Sequence, residues 1–180
     1  VALAANPTRG VAIAYETLND RQILDIPFDK LQKDGYLFIW VINAKYRFAL
    51  EMMEHNGYKL VDEIAWLNKR KGKIAKGHGY YLQHAKETCL IGVKGNPPKI
   101  EAGGIETDVN SVREETVTET EEIYGIAEAL APNGYYLEIF GRRNNLHNGW
   151  VTIGNEYERK TLYTIKITFA YHSNGVLGFW

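Results

Sequence analysis

With a single cysteine, Cys89, in 180 residues, the chain has no means of building a disulfide framework or a cysteine-rich zinc site. Cys89 sits in the apolar run from Cys89 to Val93 and reads as a buried strand residue. Net charge is also scarce: a formal value of -1 gives no global attraction for nucleic acid, so any such surface must be local. The longest apolar run, around Tyr36 to Ile42, falls far short of the ~20 residues a bilayer-spanning helix needs. No basic segment opens the N-terminus, so neither a membrane nor a secretory role is expected. A Walker loop and a Gly-x-Gly-x-x-Gly turn are both missing, which counts against a nucleotide hydrolase or a nicotinamide dehydrogenase. His55, His78, His147 and His172 show no metal-ligand spacing, and no metal is expected. What is present, 45% apolar and 24% charged residues, is close to the average of a folded globular domain. The first residues, Val1-Ala2-Leu3-Ala4, read as a fragment beginning inside a strand.

Gly35 to Ile42 is a continuous β-branched and aromatic run, as expected for a strand covered on both faces. Ala44 to His55 places Phe48, Ala49, Met52 and Met53 at helical spacing, and Asn56-Gly57 supplies a left-handed stop. Leu60 to Leu67, Thr88 to Val93 and Tyr135 to Phe140 read as further strands. Glu121 to Leu130 reads as a short helix with acids in its first turn, Thr118 or Thr120 as caps, and Pro132-Asn133-Gly134 beyond its end. Strands alternating with helices predict an α/β fold with a mostly parallel sheet and flanking helices.

Chemistry concentrates in Leu137 to Asn155, where an apolar strand meets a polar cluster and then a second strand. Glu138, Arg142, Asn144, Asn145 and Asn155 crowd the carboxyl end of that strand, the usual place for ligands in open α/β sheets. A carboxylate accepts ribose hydroxyls, a guanidinium holds a carboxylate or phosphate, and an amide donates and accepts at once. The set suits a nucleoside-bearing cofactor with an ionised tail; the alternative is a polar connecting loop with asparagines in turn conformations. A second constellation, Gln83 to Cys89, delivers Lys86 and Glu87 to a strand mouth, either to hydrogen-bond a base edge or as a structural ion pair. His84 there lacks the partners of a general base. The segment Lys69-Arg70-Lys71-Gly72-Lys73, with Lys76, His78 and His84, belongs to a stretch without an acid from Ala65 to Ala85. It reads either as a phosphate grip or as a solvated connecting loop. The acidic run Glu114, Glu115, Glu119, Glu121 and Glu122 reads mainly as a solvated loop and helix start.

Several blocks, taken in order, resemble the MT-A family of adenine-N6 methyltransferases, typified by the catalytic subunit of the mRNA adenosine methyltransferase. They are Tyr15 to Leu18, Asp34 to Val41, Gly57 to Trp66, His84 to Pro97, Glu122 to Gly125, and Leu137 to Asn155. The resemblance implies a Rossmann-like methyltransferase fold over residues 1–157, with 158–180 as a tail whose alternating Leu162, Ile165, Ile167 and Phe169 suggest an added strand. It implies S-adenosylmethionine as cofactor, with Glu138 at the cofactor end of its strand. Arg142, Asn144 and Asn145 would meet the ribose and the methionine tail, and Asn155 and Glu156 the adenosine portion. Lys86 and Glu87 match the pair lining a target-adenine pocket, and Tyr15 a gating tyrosine. With Lys69, Arg70 and Lys71 on the nucleic acid, the implied reaction is direct attack of a flipped adenine's amine on the sulfonium methyl. A paralogous methyltransferase-like subunit is implied as heterodimer partner, and residence in the nucleus is expected. The segment Asn6 to Tyr15 looks more like the ciliate DNA-adenine branch, which favours DNA over RNA.

Two departures stand out. The family's Asp-Pro-Pro-Trp motif should follow the first strand, yet Ala4 is followed by Ala5-Asn6-Pro7-Thr8. That motif accepts hydrogen bonds from the exocyclic amine and stacks on the flipped base. The reading favoured is a loop omitted between Ala4 and Ala5, because the polar cluster after Phe140-Gly141-Arg142, which inactive paralogues tend to lose, is intact; the alternative is a non-catalytic paralogue that scaffolds nucleic acid and an active partner. In addition, Thr118 to Thr120 lacks the lysine that the family offers to the cofactor carboxylate.

Overall fold

The central strand β1 (Gly35–Val41) follows from its sequence: Leu37, Phe38 and Ile39 are each fully enclosed, so both faces of the strand are covered. A computed structural model describes residues 18–70, 73–78, 81–97, 108–113, 121–141, 146–154 and 166–171, with backbone alone at 68–70, 78, 108–113, 121 and 166–171. Before β1 comes α1 (Asp20–Leu24), started by a reciprocal capping box between Asn19 and Gln22. After β1 a 3₁₀ turn (Asn43–Lys45) leads into α2 (Tyr46–His55), which ends on Gly57 at φ +79°, where a side chain would be strained.

The chain then forms β2 (Lys59–Arg70), the two-residue β3 (Lys73–Ile74), a small hairpin of β4 (Gly77–His78) and β5 (Gln83–His84), and β6 (Lys86–Lys94). β7 (Asp108–Arg113), α3 (Glu121–Leu130), β8 (Tyr135–Ile139), β9 (Trp150–Ile153) and β10 (Lys166–Tyr171) complete the described elements. The main sheet runs β3-β2-β6-β1-β10-β8-β9, with β7 also paired to β2.

Two apolar layers sandwich this sheet, and strand alternation decides which residue joins which. Leu37, Ile39 and Val41 of β1, with Leu90 and Ile139, pack against Ala49, Met52 and Met53 of α2 and Ile23 of α1. Phe38, Cys89, Ile91 and Ile64 face the other way, onto Ile123, Tyr124 and Ala127 of α3. Each fully enclosed Leu, Ile or Phe contributes about 1.5–3 kcal/mol from removal of apolar surface from water.

The expectation of a mostly parallel sheet is overturned. Among the described residues, β1 pairs antiparallel with both β6 and β10, β10 antiparallel with β8, and β2 antiparallel with β6 and β3. Among these described strands, only β2–β7 and β8–β9 are parallel neighbours. The physical reason lies in what a helical crossover dictates. It sets the direction of the strands it joins, and β1 and β2, linked through α2, do run the same way. It does not make them neighbours: β6, returning from the β2 side, is inserted between them, and β10 is inserted between β1 and β8 in the same manner. A second difference concerns the basic segment. Lys69 and Arg70 extend β2, where they pair with β3 and β7 in place of a free loop.

Candidate functional site

Register places the candidate residues on one edge of the sheet. β1, β8 and β9 end there, and β6, running oppositely, begins there with Lys86 and Glu87. Between β6 and β8 lie β1 and β10, so three strand spacings, roughly 14 Å, separate the two candidate clusters. Glu87 pairs across with Trp66 and Lys86 with Leu67, so the two side chains leave opposite faces of β6. Glu87 shares the α3 face with Glu138, because Trp66 follows Ile64 by two residues and Ile64 belongs to the α3 core.

The Lys86–Glu87 end is walled by aromatics. Trp66 is buried, and its ring meets that of Trp40 edge-on at 6.0 Å. Lys86 is exposed and Glu87 half-buried. Next to them, the exposed His84 lies 3.3 Å from the side-chain amide of Asn43, in the turn that follows β1. Burial in this region leaves the Trp66 indole nitrogen without a hydrogen-bond partner among the described residues.

At the other cluster Glu138 is fully enclosed, and its Oε2 accepts a hydrogen bond of 2.8 Å from the Tyr124 hydroxyl on α3. It supports the strand end from beneath. Phe140 then takes φ +70°, an uncommon conformation for a large side chain, and turns the chain into Gly141. Gly141 is required by its neighbours, since an added Cβ would meet Thr152 and the Glu138 carboxyl. Gly154, just past β9, is held against the backbone of Gly141 so closely that a Cβ there would strike the Gly141 carbonyl. The Gly141 N–H donates to the Ile153 carbonyl at 3.0 Å, which locks the two strand ends together. The polar segments 142–145 and 155–156 therefore start from adjoining points.

An aromatic bracket that sequence reasoning missed stands beside this junction. The His147 ring stacks on Tyr124 at 4.4 Å, Trp150 leans on Tyr124 at 4.6 Å, and Tyr136 stacks on Trp150 at 4.9 Å. Burial pushes the Tyr136 hydroxyl's pKa upward, and that hydroxyl donates to the Ala131 carbonyl at 2.7 Å. Two sequence signals pointed to the bracket: Tyr124 and Glu128 at i,i+4 on one helix face, and a tryptophan whose indole needs an acceptor when partly covered.

Of the residues singled out from the sequence, the structure brings Glu138 to the β8 end and Lys86 and Glu87 to the same sheet edge. Tyr15, Lys71, Arg142, Asn144, Asn145, Asn155 and Glu156 lie outside the described residues, as do Thr118 and Thr120 and the side chains of Lys69 and Arg70.

Comparison with known proteins bears directly on this edge. The MT-A70 family model matches residues 3–156. Over 150 residues, covering 81% of the chain, it is 38% identical to the human N(6)-adenosine-methyltransferase catalytic subunit METTL3, of which the match spans 26%. The Drosophila melanogaster N(6)-adenosine-methyltransferase MT-A70-like protein is 36% identical over 150 residues, 81% of this chain and 24% of the relative. The Drosophila non-catalytic subunit METTL14 is 27% identical over 140 residues, 68% of this chain and 34% of that protein. The chain thus spans about a quarter to a third of the length of these relatives. With a match over most of its length that includes both clusters at the sheet edge, the chain belongs to the MT-A70 family.

Proposed function

We propose that this chain is the methyltransferase domain of an adenine-N6 methyltransferase that acts on nucleic acid, with S-adenosylmethionine as methyl donor. The observation that carries the reading is the locked Gly141–Gly154 junction. It starts two polar segments from adjoining points on the edge that also holds Lys86 and Glu87. The donor set fits the cofactor: Arg142 matches a carboxylate, while Asn144, Asn145, Asn155 and Glu156 match ribose hydroxyls and the edge of an adenine. When bound, S-adenosylmethionine supplies a methyl group activated by positive charge on sulfur.

The chain's own work is positional. Glu138 fixes the β8 end on which the first polar segment begins; Lys86 and Glu87 line the pocket of a flipped adenine at the start of β6, Glu87 from the α3 face and Lys86 from the other, with Tyr15 closing over it. Lys69, Arg70 and Lys71 take phosphates. DNA is the proposed substrate, on the resemblance of residues 6–15, and a paralogous subunit is the proposed partner in a nuclear heterodimer. Calorimetry with S-adenosylmethionine, on the chain alone and with its partner, tests the cofactor assignment. Binding is expected, weakened at least 10-fold by Arg142→Ala; no binding in either state overturns it.

The sequence Ala5-Asn6-Pro7-Thr8, where the family carries Asp-Pro-Pro-Trp, favours a second reading: a silent paralogue that scaffolds nucleic acid for an active partner. A chain that binds the cofactor yet transfers no methyl group in the presence of its partner is that scaffold.

A further inference from the structure

Among the described residues, three buried side-chain atoms have no hydrogen-bond partner: Gln32 Oε1, Thr152 Oγ1 and Trp66 Nε1. The Gln32 amide is already held through its nitrogen, which donates to the Tyr36 carbonyl and the Tyr58 hydroxyl. Thr152 is lodged by its methyl group against Gly141, and a hydroxyl both donates and accepts. Trp66 differs, because an indole nitrogen only donates, and its N–H cannot turn elsewhere without moving the whole ring. The residue is 2% exposed. A buried donor left unpaired is penalised by its lost hydration, and a phenylalanine in the same place would carry no such cost. Apolar packing therefore accounts for the ring and not for the N–H.

The neighbours of this donor show what would satisfy it. In the antiparallel pairing of β2 with β6, Trp66 lies directly opposite Glu87, which puts their Cβ atoms about 4.5–5.5 Å apart on the α3 face. The Trp40 ring stands edge-on to Trp66 at 6.0 Å. A group that only donates, a carboxylate that only accepts and two aromatic rings thus meet at the functional edge of the sheet. A carboxylate offers about four acceptor positions, so Glu87 can take a further N–H beside the contact it already makes. A planar heterocycle with an amine next to a ring nitrogen matches the pair, its amine giving to Glu87 and its ring nitrogen taking from Trp66. Adenine has that order at N6 and N7, and again at N6 and N1. Guanine presents O6 in place of the amine and would set one acceptor against another. Nε1 is closed to solvent, so a base reaches it only when a neighbour turns aside; Glu87 and Trp40, both half-buried, are the neighbours nearer the surface.

We propose that Trp66 is a specificity residue of the adenine site: its indole N–H donates to a ring nitrogen of the flipped base, while Glu87 accepts from the amine beside it. This rests on the adenine reading above, and it assigns the choice of adenine over guanine to the order of one donor and one acceptor across β2 and β6.

The test is methyl transfer to single-stranded DNA oligonucleotides by the chain with the proposed partner, for the parent and Trp66→Phe, with adenine, 7-deazaadenine or 1-deazaadenine as the target base. Each deaza base keeps the amine and replaces one ring nitrogen by C–H. In the parent, loss of the nitrogen that Trp66 meets is expected to lower kcat/KM about 10-fold or more. Trp66→Phe is expected to lose a similar factor on adenine and little more on that deaza base, because the contact is already gone. Any change in the amine's own reactivity is common to both proteins and cancels. Deaza penalties equal in the parent and Trp66→Phe overturn the inference, since a tryptophan that only packs is blind to one ring atom of the substrate. If Trp66→Phe does not fold, the parent still decides. Its four tryptophans, labelled with nitrogen in this chain alone, are told apart by single substitution of the other three. A downfield shift of the Trp66 indole proton on adding the adenine oligonucleotide, absent with a guanine one, supports the donor; an unmoved signal overturns it. Absence of methyl transfer by the parent on unmodified adenine strikes the function reading itself and takes this inference with it, a result seen before any base or residue is changed.

Discussion

Replacing Tyr124 by Phe removes one oxygen and leaves the ring that carries His147 and Trp150. The hydroxyl lost is 2.8 Å from Glu138 Oε2, in a setting where Tyr124 is 2% and Glu138 0% exposed, so water is not at hand to take its place. Loss of one partner in a buried hydrogen bond costs about 1–3 kcal/mol, because the remaining group keeps its desolvation penalty. In a chain of this size, each kcal/mol lowers the melting temperature by about 2–4 °C, so a fall of roughly 2–12 °C is expected. Glu138→Gln, which preserves shape and an acceptor oxygen, allows a double-mutant cycle. The two changes together should cost less than the sum of each alone, with a coupling of at least about 0.5 kcal/mol. Calorimetric or circular-dichroism melting of the four proteins reads this out. A Tyr124→Phe melting temperature within about 1 °C of the parent, or strictly additive effects, would refute the claim that this bond fixes the end of β8.

Two glycine substitutions should move in opposite directions. Gly154→Ala drives a Cβ into the Gly141 carbonyl, where backbone cannot give way, and is expected to destabilise by about 2 kcal/mol or more in urea unfolding; Gly125→Ala, in α3 with open space around it, should stabilise by about 0.5–1 kcal/mol. Neutralising Lys69, Arg70 and Lys71 together is expected to weaken oligonucleotide binding and reduce the slope of log affinity against log salt by about 2–3; an unchanged slope returns the segment to a solvated role. Burial raises the pKa of Tyr58, whose hydroxyl accepts from Gln32 at 2.9 Å, and those of Tyr36, Tyr46 and Tyr136 are raised by the same cause. The unfolded chain therefore loses these protons first, near their ordinary value of 10.0. Stability should be fully present below pH 10 and fall as pH rises beyond it, with a shallower fall in Tyr58→Phe, measured by urea midpoints at stepped pH.

Much of the fold was legible where local chemistry decides it. Glu121–Leu130 is a helix because acids open it and Pro132-Asn133-Gly134 follows its end; α2 stops at Asn56-Gly57 for the conformational reason read there. Strand neighbours were not legible, because pairing is settled by residues far apart in sequence. Nothing in Lys166–Tyr171 announces that it divides β1 from β8, and nothing in Lys86–Lys94 that it divides β1 from β2. Lys69 and Arg70 resembled a loop because charge and strand rarely coincide in a core, yet they lie where β2 outruns the partner β6, which stops pairing at Leu67. Glu138 was legible as special; that its Oε2 takes the Tyr124 hydroxyl was not, because only the fold brings the helix carrying Tyr124 to it. The His147–Glu128 contact is not legible for a related reason: in sequence His147 raises only the question of metal-ligand spacing, and its partner lies on a helix nineteen residues earlier.

The measurement that bears most directly on function is methyl transfer by the chain together with the proposed paralogous partner, using S-adenosylmethionine labelled in the methyl group. Adenine-containing DNA and RNA oligonucleotides should be assayed side by side, and the product resolved as N6-methyladenine by mass spectrometry. The account predicts label on the N6 amine, more on DNA than on RNA, lost on Arg142→Ala or Glu87→Ala in this chain. Label that persists at the parent rate in both variants, or no label on either nucleic acid, would contradict it.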